Sequence, residues 1–214
     1  IIIILLFKNV SENFIFKHNK CAHINILTRY NYKNTNCFKK FIESLNQLKF
    51  KNWTHFISTE KYTNELKLYE SESKKRIIIP VIKRNIKTKE RCCPYNKYLN
   101  ELIDVVHDGW IIIVDDDARF INSDFLSKLS IICAKSNEKD VIIFKSYNGK
   151  YKNIIPKKKK LKHGQIDMCC FAVHHTVPTL FDNKCSGDYR FILNLKKKGF
   201  KLRYHFELPL GIWS

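Results

Sequence analysis

Three consecutive aspartates, Asp115, Asp116 and Asp117, close the apolar run from Trp110 to Val114. Adjacent carboxylates repel one another, and a cation relieves that repulsion. Side chains alternate along extended backbone, so Asp115 and Asp117 share a face while Asp116 points away. Two oxygens on one face suit a hard divalent ion such as Mn2+ or Mg2+, which keeps some water and takes further ligands from phosphates. A cation held there would neutralise the charge that grows on a departing phosphate. The same residues also read as a solvated loop that caps the following helix.

Other candidates are more dispersed. Asp188 follows Gly187 at the start of a helical pattern and has the local signature of an N-cap. Asp167 lies in an apolar stretch, where an unpaired carboxylate is expensive, so an acceptor hydroxyl, a basic side chain or a backbone donor must face it. His174, His175 and His205 are further candidate ligands, each with a structural alternative. The eight cysteines form no CxxC pair and no zinc-type Cys/His spacing, and several sit in apolar runs. That usage favours a reducing compartment and a cytoplasmic location.

The elements that must hold these groups alternate along the chain. Ile24–Thr28 reads as a buried strand, and Asn34–Asn36 offer N-cap chemistry for a helix carrying Phe38, Phe41, Ile42, Leu45 and Leu48. Trp53–Ser58 and Arg76–Ile82 read as strands, with Lys61–Leu68 helical or irregular between them. Lys83–Arg91 reads as a loop. Pro94 opens a helix with Tyr95, Leu99, Leu102 and Val106 on one stripe, stopped by Gly109. Trp110–Val114 is apolar throughout, as in a parallel strand buried on both faces. A helix over Asp124–Ala134, a strand at Val141–Phe144, an extended Ile166–Val173, a helix over Tyr189–Lys198 and a strand at Leu202–Phe206 complete the pattern. Strands alternating with helices predict an α/β protein with a mostly parallel central sheet flanked by helices.

Lysines and arginines number 39 against 20 acidic residues, giving a formal net charge of +19 over 214 residues. Such an excess attracts polyanions of any kind: nucleic acid, acidic membrane surfaces or phosphorylated small molecules. AT-rich codon bias explains it equally well. Lys157–Lys160 reads as a solvated loop, or as a lure for anionic donors and membrane surfaces, which would allow peripheral membrane association. Ile1–Phe7 is too short to span a bilayer. It reads as an edge strand or the tail of a lost anchor, with residues 1–20 as an N-terminal extension of one domain over residues 1–214.

With these residues in order, the sequence resembles GT-A glycosyltransferases of the family-2-like type, especially small single-domain members from large DNA viruses and some bacteria. Ile24-Asn25-Ile26-Leu27-Thr28-Arg29 resembles the first strand. Cys37–Gln47 with Trp53–Ser58 resembles the first helix and second strand. Pro94–Asn100, continuing to Gly109-Trp110-Ile111 and Asp115-Asp116-Asp117, resembles the helix and the DxD strand. Gln165-Ile166-Asp167, with Phe171 and His174, then Gly187–Ile192, resembles the acceptor-side strand and the helix bearing the catalytic aspartate.

The resemblance implies transfer of a sugar from a nucleotide-diphosphate donor, with UDP as the default, to a hydroxyl of a glycan or other acceptor. It implies Mn2+ or Mg2+ dependence and inversion at the anomeric carbon. It casts Asp188 as general base and Asp167 as acceptor-binding. Thr28, Arg29, Asp115 and Asp116 fall at the donor, and Asp115, Asp117 and His205 at the metal. Two positions depart from the pattern. The family often carries an aspartate at the end of the second strand, where Ser58-Thr59-Glu60 stands here, which makes Glu60 the substitute donor contact. The acidic run often extends one residue further, where this chain has Ala118.

Other functions compete. A sugar nucleotidyltransferase needs a glycine-rich loop after the first strand, and Thr28–Cys37 contains no glycine. A basic nucleic-acid-binding or nuclease-like protein fits the charge, but no nucleic-acid motif is present and no specific nucleic-acid partner is expected. A non-catalytic descendant of the same fold is the third alternative.

Overall fold

The computed structural model describes residues 20–81, 95–178, 180–182, 184 and 186–214. The expected loop Lys83–Arg91, the helix start at Pro94 and the N-terminal segment lie outside the described residues.

Apolar runs with few polar interruptions form the central sheet. Strands β1 (Ile24–Tyr30), β2 (Trp53–Thr59), β3 (Arg76–Pro80), β4 (Trp110–Ile113), β6 (Asp140–Ile143), β9 (Phe171–His174) and β10 (Lys201–Tyr204) line up in the order β10-β6-β9-β4-β1-β2-β3. β1 runs parallel to both β2 and β4, β2 parallel to β3, and β6 parallel to β10. β9 is antiparallel to both its neighbours, so the sheet is mixed but mostly parallel. The order turns back at β1: the chain moves outward to β2 and β3, then returns to place β4 on β1's other side. Ligands of open α/β sheets bind at such a reversal, beyond the carboxyl ends of the strands.

Each strand of the centre feeds both faces. Trp110 and Ile112 of β4 join one core with Ile24, Ile26, Phe41 and Leu45, while Ile111 and Ile113 join another with Leu27, Leu99, Phe171 and Phe191. Helices α1 (Thr35–Asn46), α2 (Asn64–Ser71) and α4 (Phe125–Lys135) contribute to the first core, and α3 (Tyr95–Asp104) and α5 (Gly187–Lys197) to the second. Helix α2 resolves the ambiguous Lys61–Leu68 segment: Thr63 caps it, its side chain accepting from Leu66 N–H at 3.3 Å. Gly109 sits at φ +69°, where a Cβ would lie 2.6 Å from the carbonyl oxygen of His23. Only glycine lets α3 turn into β4 this close to the start of β1.

Two sequence expectations change. Ile166–Val173 is not one strand: Asp167 caps a 3-10 turn at Met168–Cys170, and only then does β9 begin. A second sheet, ordered β5-β11-β7-β8, is built from strands of two or three residues, β5 (Arg119–Phe120), β7 (Ser146–Asn148), β8 (Asn153–Ile155) and β11 (Ile212–Trp213). It joins the stretch just after the aspartate run to the chain's last residues.

Candidate active site

The aspartate run leaves β4 at the reversal point, and its three members have different fates. Asp115 Oδ1 accepts from Arg29 Nη2 at 2.6 Å, so the carboxyl ends of β1 and β4 are clamped by an ion pair. Asp116 is turned inward, only 6% exposed, and its Oδ2 accepts from the Asn31 backbone N–H at 2.7 Å. Burial pushes its carboxyl up to about 6, with Asp117 and Asp115 adding to the shift and the Asn31 N–H opposing it. Asp117 is exposed, and desolvation followed by the charge of Asp115 raises its pKa. The expected alternation along extended backbone is replaced by a turn: Asp116 and Asp117 occupy it, Ala118 N–H donates to Asp115 O at 3.0 Å, and the buried middle aspartate fixes the turn after β1. Asp116, expected at the donor, has a structural partner instead.

Thr28 also differs from expectation. It is fully buried, and its hydroxyl donates to Val114 O at 2.8 Å. His55 Nε2 lies 3.0 Å from the same hydroxyl, and His55 Nδ1 lies 2.8 Å from the Tyr69 hydroxyl. Since the Thr28 proton is committed to Val114, Nε2 is the donating nitrogen and Nδ1 accepts from Tyr69. Burial, with the charge of Arg76, lowers the His55 pKa to about 3, which keeps this imidazole neutral. The chain Tyr69–His55–Thr28–Val114 braces the strand ends beneath the aspartates and leaves no Thr28 surface for a nucleotide. Arg29 remains at the site's edge. Glu60 follows β2 and accepts a hydrogen bond from Tyr98.

Two further carboxylates lie within electrostatic reach of the run. Asp167 Oδ1 accepts from Met168 N–H at 2.7 Å, and Oδ2 from Asn148 Nδ2 at 3.0 Å and Ser214 Oγ at 3.3 Å. It thus ties the small sheet to β9, and burial with the charge of Asp115 raises its pKa. Asp188 is not the N-cap. Ser186 occupies that position in the left-handed region at φ 59°, and Asp188 sits in the first turn of α5. Its Oδ1 accepts from Tyr189 N–H at 2.8 Å. Burial pushes its carboxyl up to about 6, helped by the charges of Asp167 and Asp115. Asp115, Asp117, Asp167 and Asp188 are thus linked by mutual repulsion, with Arg29 as the cation paired to the group. On a chain of net charge +19, this acidic pocket is a local inversion.

His205 follows β10, three strands from β4, with Nδ1 2.6 Å from Glu207 Oε1. His174 Nδ1 bonds Thr176 Oγ1 at 2.9 Å, and His175 Nδ1 lies 3.3 Å from Gly109 O. No ready-made cluster of three His, Cys, Asp or Glu ligands exists among the described residues.

Two residues that position Asp188 escaped sequence reasoning. Asn100 on α3 forms a two-bond pair with the Phe181 backbone, Nδ2 donating to O at 2.9 Å and Oδ1 accepting from N–H at 2.8 Å. One turn earlier, Asn96 is 3% exposed and donates through Nδ2 to the carbonyls of Asp182 and Lys184. A Cβ on Gly187 would lie 2.5 Å from that Nδ2, so the glycine lets α5 start against α3. The available signal was two amides four residues apart beside an apolar stripe, where buried side chains must find partners.

No family model matches this sequence, and neither does any curated protein. Solved structures do. TarS of S. aureus superposes with a TM-score of 0.65 at 10% identity, over 90% of this chain and 36% of that one. The mannosyltransferase PcManGT from Pyrobaculum calidifontis, in complex with GDP-Man and Mn2+, gives 0.62 at 9% identity, over 91% and 57%. GalNAc-T7 with UDP, GalNAc and Mn2+ gives 0.64 at 8% identity, over 91% and 44%. This chain therefore spans between about a third and three-fifths of the lengths of these proteins. All three are glycosyltransferases built on one architecture, and the chain described here has that GT-A fold.

Proposed function

We propose that this protein transfers a sugar from a nucleotide-diphosphate sugar to an acceptor hydroxyl, with inversion at the anomeric carbon. The observation that carries this reading is the convergence of Asp115, Asp117, Asp167 and Asp188 at the reversal point of the sheet, with Asp188 held at a pKa of about 6.

The acidic residues fit a hard divalent cation. Asp115 and Asp117 repel each other and Asp167, and Asp117 is exposed. Mn2+ or Mg2+ in phosphate sites takes one or two carboxylates and completes its shell with water and substrate oxygens, so a complete protein cage is not required. Asp117 would hold the ion with Asp115; His205, bonded to Glu207 at the far side of the sheet, is not gathered with them into a ligand cluster. When bound, the ion supplies positive charge to the leaving diphosphate.

The remaining roles belong to side chains. Arg29, fixed by Asp115, sets positive charge beside the donor, and Glu60 at the end of β2 is the candidate contact for the nucleoside, with UDP the default. Asp167 orients the acceptor. Asp188 takes the proton of the acceptor hydroxyl as its oxygen attacks the anomeric carbon and the bond from that carbon to the diphosphate oxygen breaks. One oxygen of Asp188 is oriented by Tyr189 N–H, which leaves the other for the acceptor. A pKa near 6 leaves most of this base ionised at neutral pH while keeping it strong enough to accept a proton.

Thermal shift against UDP, GDP and dTDP and their sugars, with and without Mn2+, tests the class and narrows the donor. The expected result is stabilisation by one nucleotide that strengthens with Mn2+. Absence of any shift across the panel would remove the donor site from this pocket.

Asn100→Ala probes positioning. Losing both bonds to Phe181 leaves its backbone unsatisfied and frees the segment leading to Asp188. A displacement of about 1 Å at a catalytic group costs on the order of a hundredfold in rate. The expected outcome is a fall in kcat with the donor KM unchanged. A rise in donor KM with kcat intact would place Asn100 on the donor side instead.

A further inference from the structure

Between Lys145 and Lys162 the chain carries eight lysines and no acidic residue. This stretch comprises the β7–β8 hairpin and the loop that follows. Lys150 and Lys152 flank Tyr151 at the hairpin turn, and Lys157–Lys160 follow the buried Ile155 and Pro156; all six lysines are exposed. No salt bridge among the described residues involves any of the eight. Acidic groups beside the stretch are Glu207, which feels the charge of Lys159 and is bonded to His205, and Asp167, which accepts from Asn148 of β7. So many exposed cations repel one another, and an anionic surface would relieve this.

Two apolar groups stand among these lysines. Tyr151 is 66% exposed at the turn, and Ile154 is 42% exposed on β8, the edge strand of the small sheet. Phosphates have no use for an isoleucine, whereas a bilayer interface takes up an aromatic ring and an aliphatic side chain while flanking lysines reach the headgroups. The patch is also built into the fold. The small sheet holds the hairpin, Lys157 N–H donates to Gln165 Oε1 at 3.3 Å, and His163 Nε2 lies 2.8 Å from Ser186 Oγ.

We propose that the β7–β8 hairpin and the loop after it form a docking face for an anionic membrane surface. Through the His163–Ser186 contact this face borders the first turn of α5, so docking turns the Asp188 side of the pocket toward the bilayer. The docking does not depend on the chemistry performed in the pocket.

Co-sedimentation of the full chain with vesicles tests it, using pure phosphatidylcholine and equal parts phosphatidylcholine and phosphatidylserine. Binding is expected to the mixed vesicles alone and to weaken with salt. Each lysine near an anionic surface strengthens partitioning roughly fivefold. The variant Lys157→Gln/Lys158→Gln/Lys159→Gln/Lys160→Gln is therefore expected to lose on the order of a hundredfold or more. Tyr151→Ser/Ile154→Ser is expected to bind more weakly while keeping its salt dependence. Lys196→Gln/Lys197→Gln, at the far end of α5, is the charge control and should partition as the parent does. Wild-type partitioning by the quadruple variant, or an equal loss per charge in the control, overturns the assignment. So does unchanged partitioning of the Tyr151/Ile154 variant, or binding to soluble polyphosphate without binding to vesicles.

Discussion

Asp188→Asn is expected to lower sugar transfer by about 10²–10⁴-fold, the contribution of a positioned general base, while nucleotide-induced stabilisation persists. The amide can still accept from Tyr189 N–H at the position of Oδ1, so α5 keeps its first turn. The same substitution should make the protein more stable at neutral pH. Burial raises the Asp188 pKa from 3.8 to about 6. The folded state therefore binds this proton more tightly than the unfolded chain does, and stability falls as pH rises from about 4 to about 6. Asn removes that loss, adding about 1–2 kcal/mol at pH 7 and little at pH 4. In the parent protein, kcat/KM for the proposed transfer should climb with pH and level off above about 6, where Asp188 is ionised. Activity retained by Asp188→Asn would take the base role from this residue. A lower melting temperature at pH 7 would show that the carboxylate is a stabilising partner rather than a strained one.

Stability and chemistry thus pull in opposite directions in this pocket. Asp116 has the same sign of shift, reaching about 6 chiefly through burial, yet the backbone of Asn31 holds it. It spends its charge on the turn that carries Arg29 into place. Among the described residues the Asp188 carboxylate is bonded by the backbone of its own helix and forms no salt bridge, which is how a group kept for a substrate looks.

What the sequence displayed of this arrangement depended on range. The parallel strands were legible because apolar runs such as Trp110–Val114 carry their burial locally, and Asp115–Asp117 stood out because they end such a run. The small second sheet was not legible: β5, β7, β8 and β11 have two or three residues each, too few for any period to appear. Asp167 was read as part of a strand because its neighbours are apolar. Its side chain instead competes for backbone donors and caps a 3-10 turn, a local habit of aspartate that hydrophobic patterning does not register. The resemblance to glycosyltransferases puts Thr28 at the donor. Its hydroxyl goes to Val114 and His55, on strands far away in sequence, so only the folded register could reveal its use. Asn96 and Asn100 were missed for the same reason, since the carbonyls they serve lie more than 80 residues downstream.

Asp117→Asn is the variant that separates a metal-borne donor site from an acidic pocket with some other purpose, because its two effects have opposite signs. With Mn2+ present, donor binding should weaken by about a hundredfold or more, since even residues behind metal ligands cost 10- to 100-fold when changed. Without any divalent ion, the variant should bind UDP at least as well as the parent. In the parent, the exposed Asp117 carboxylate repels the diphosphate along with Asp115 and Asp167. The neutral amide removes one charge from that group and leaves the Arg29–Asp115 pair in place. Loss of the Mn2+ response together with retained or improved metal-free binding is the signature of a ligand. Misfolding would weaken binding in both conditions, and a solvated loop aspartate would change neither. Asp116→Ala supplies the contrast: it removes the acceptor for Asn31 N–H, disturbs that turn and should reduce binding with and without Mn2+ alike. Titration of UDP by calorimetry, run on both variants with Mn2+ and with chelator, reads all four outcomes. An unchanged Mn2+ dependence in Asp117→Asn would take the cation away from the end of β4, and the assignment of sugar transfer to this pocket would go with it.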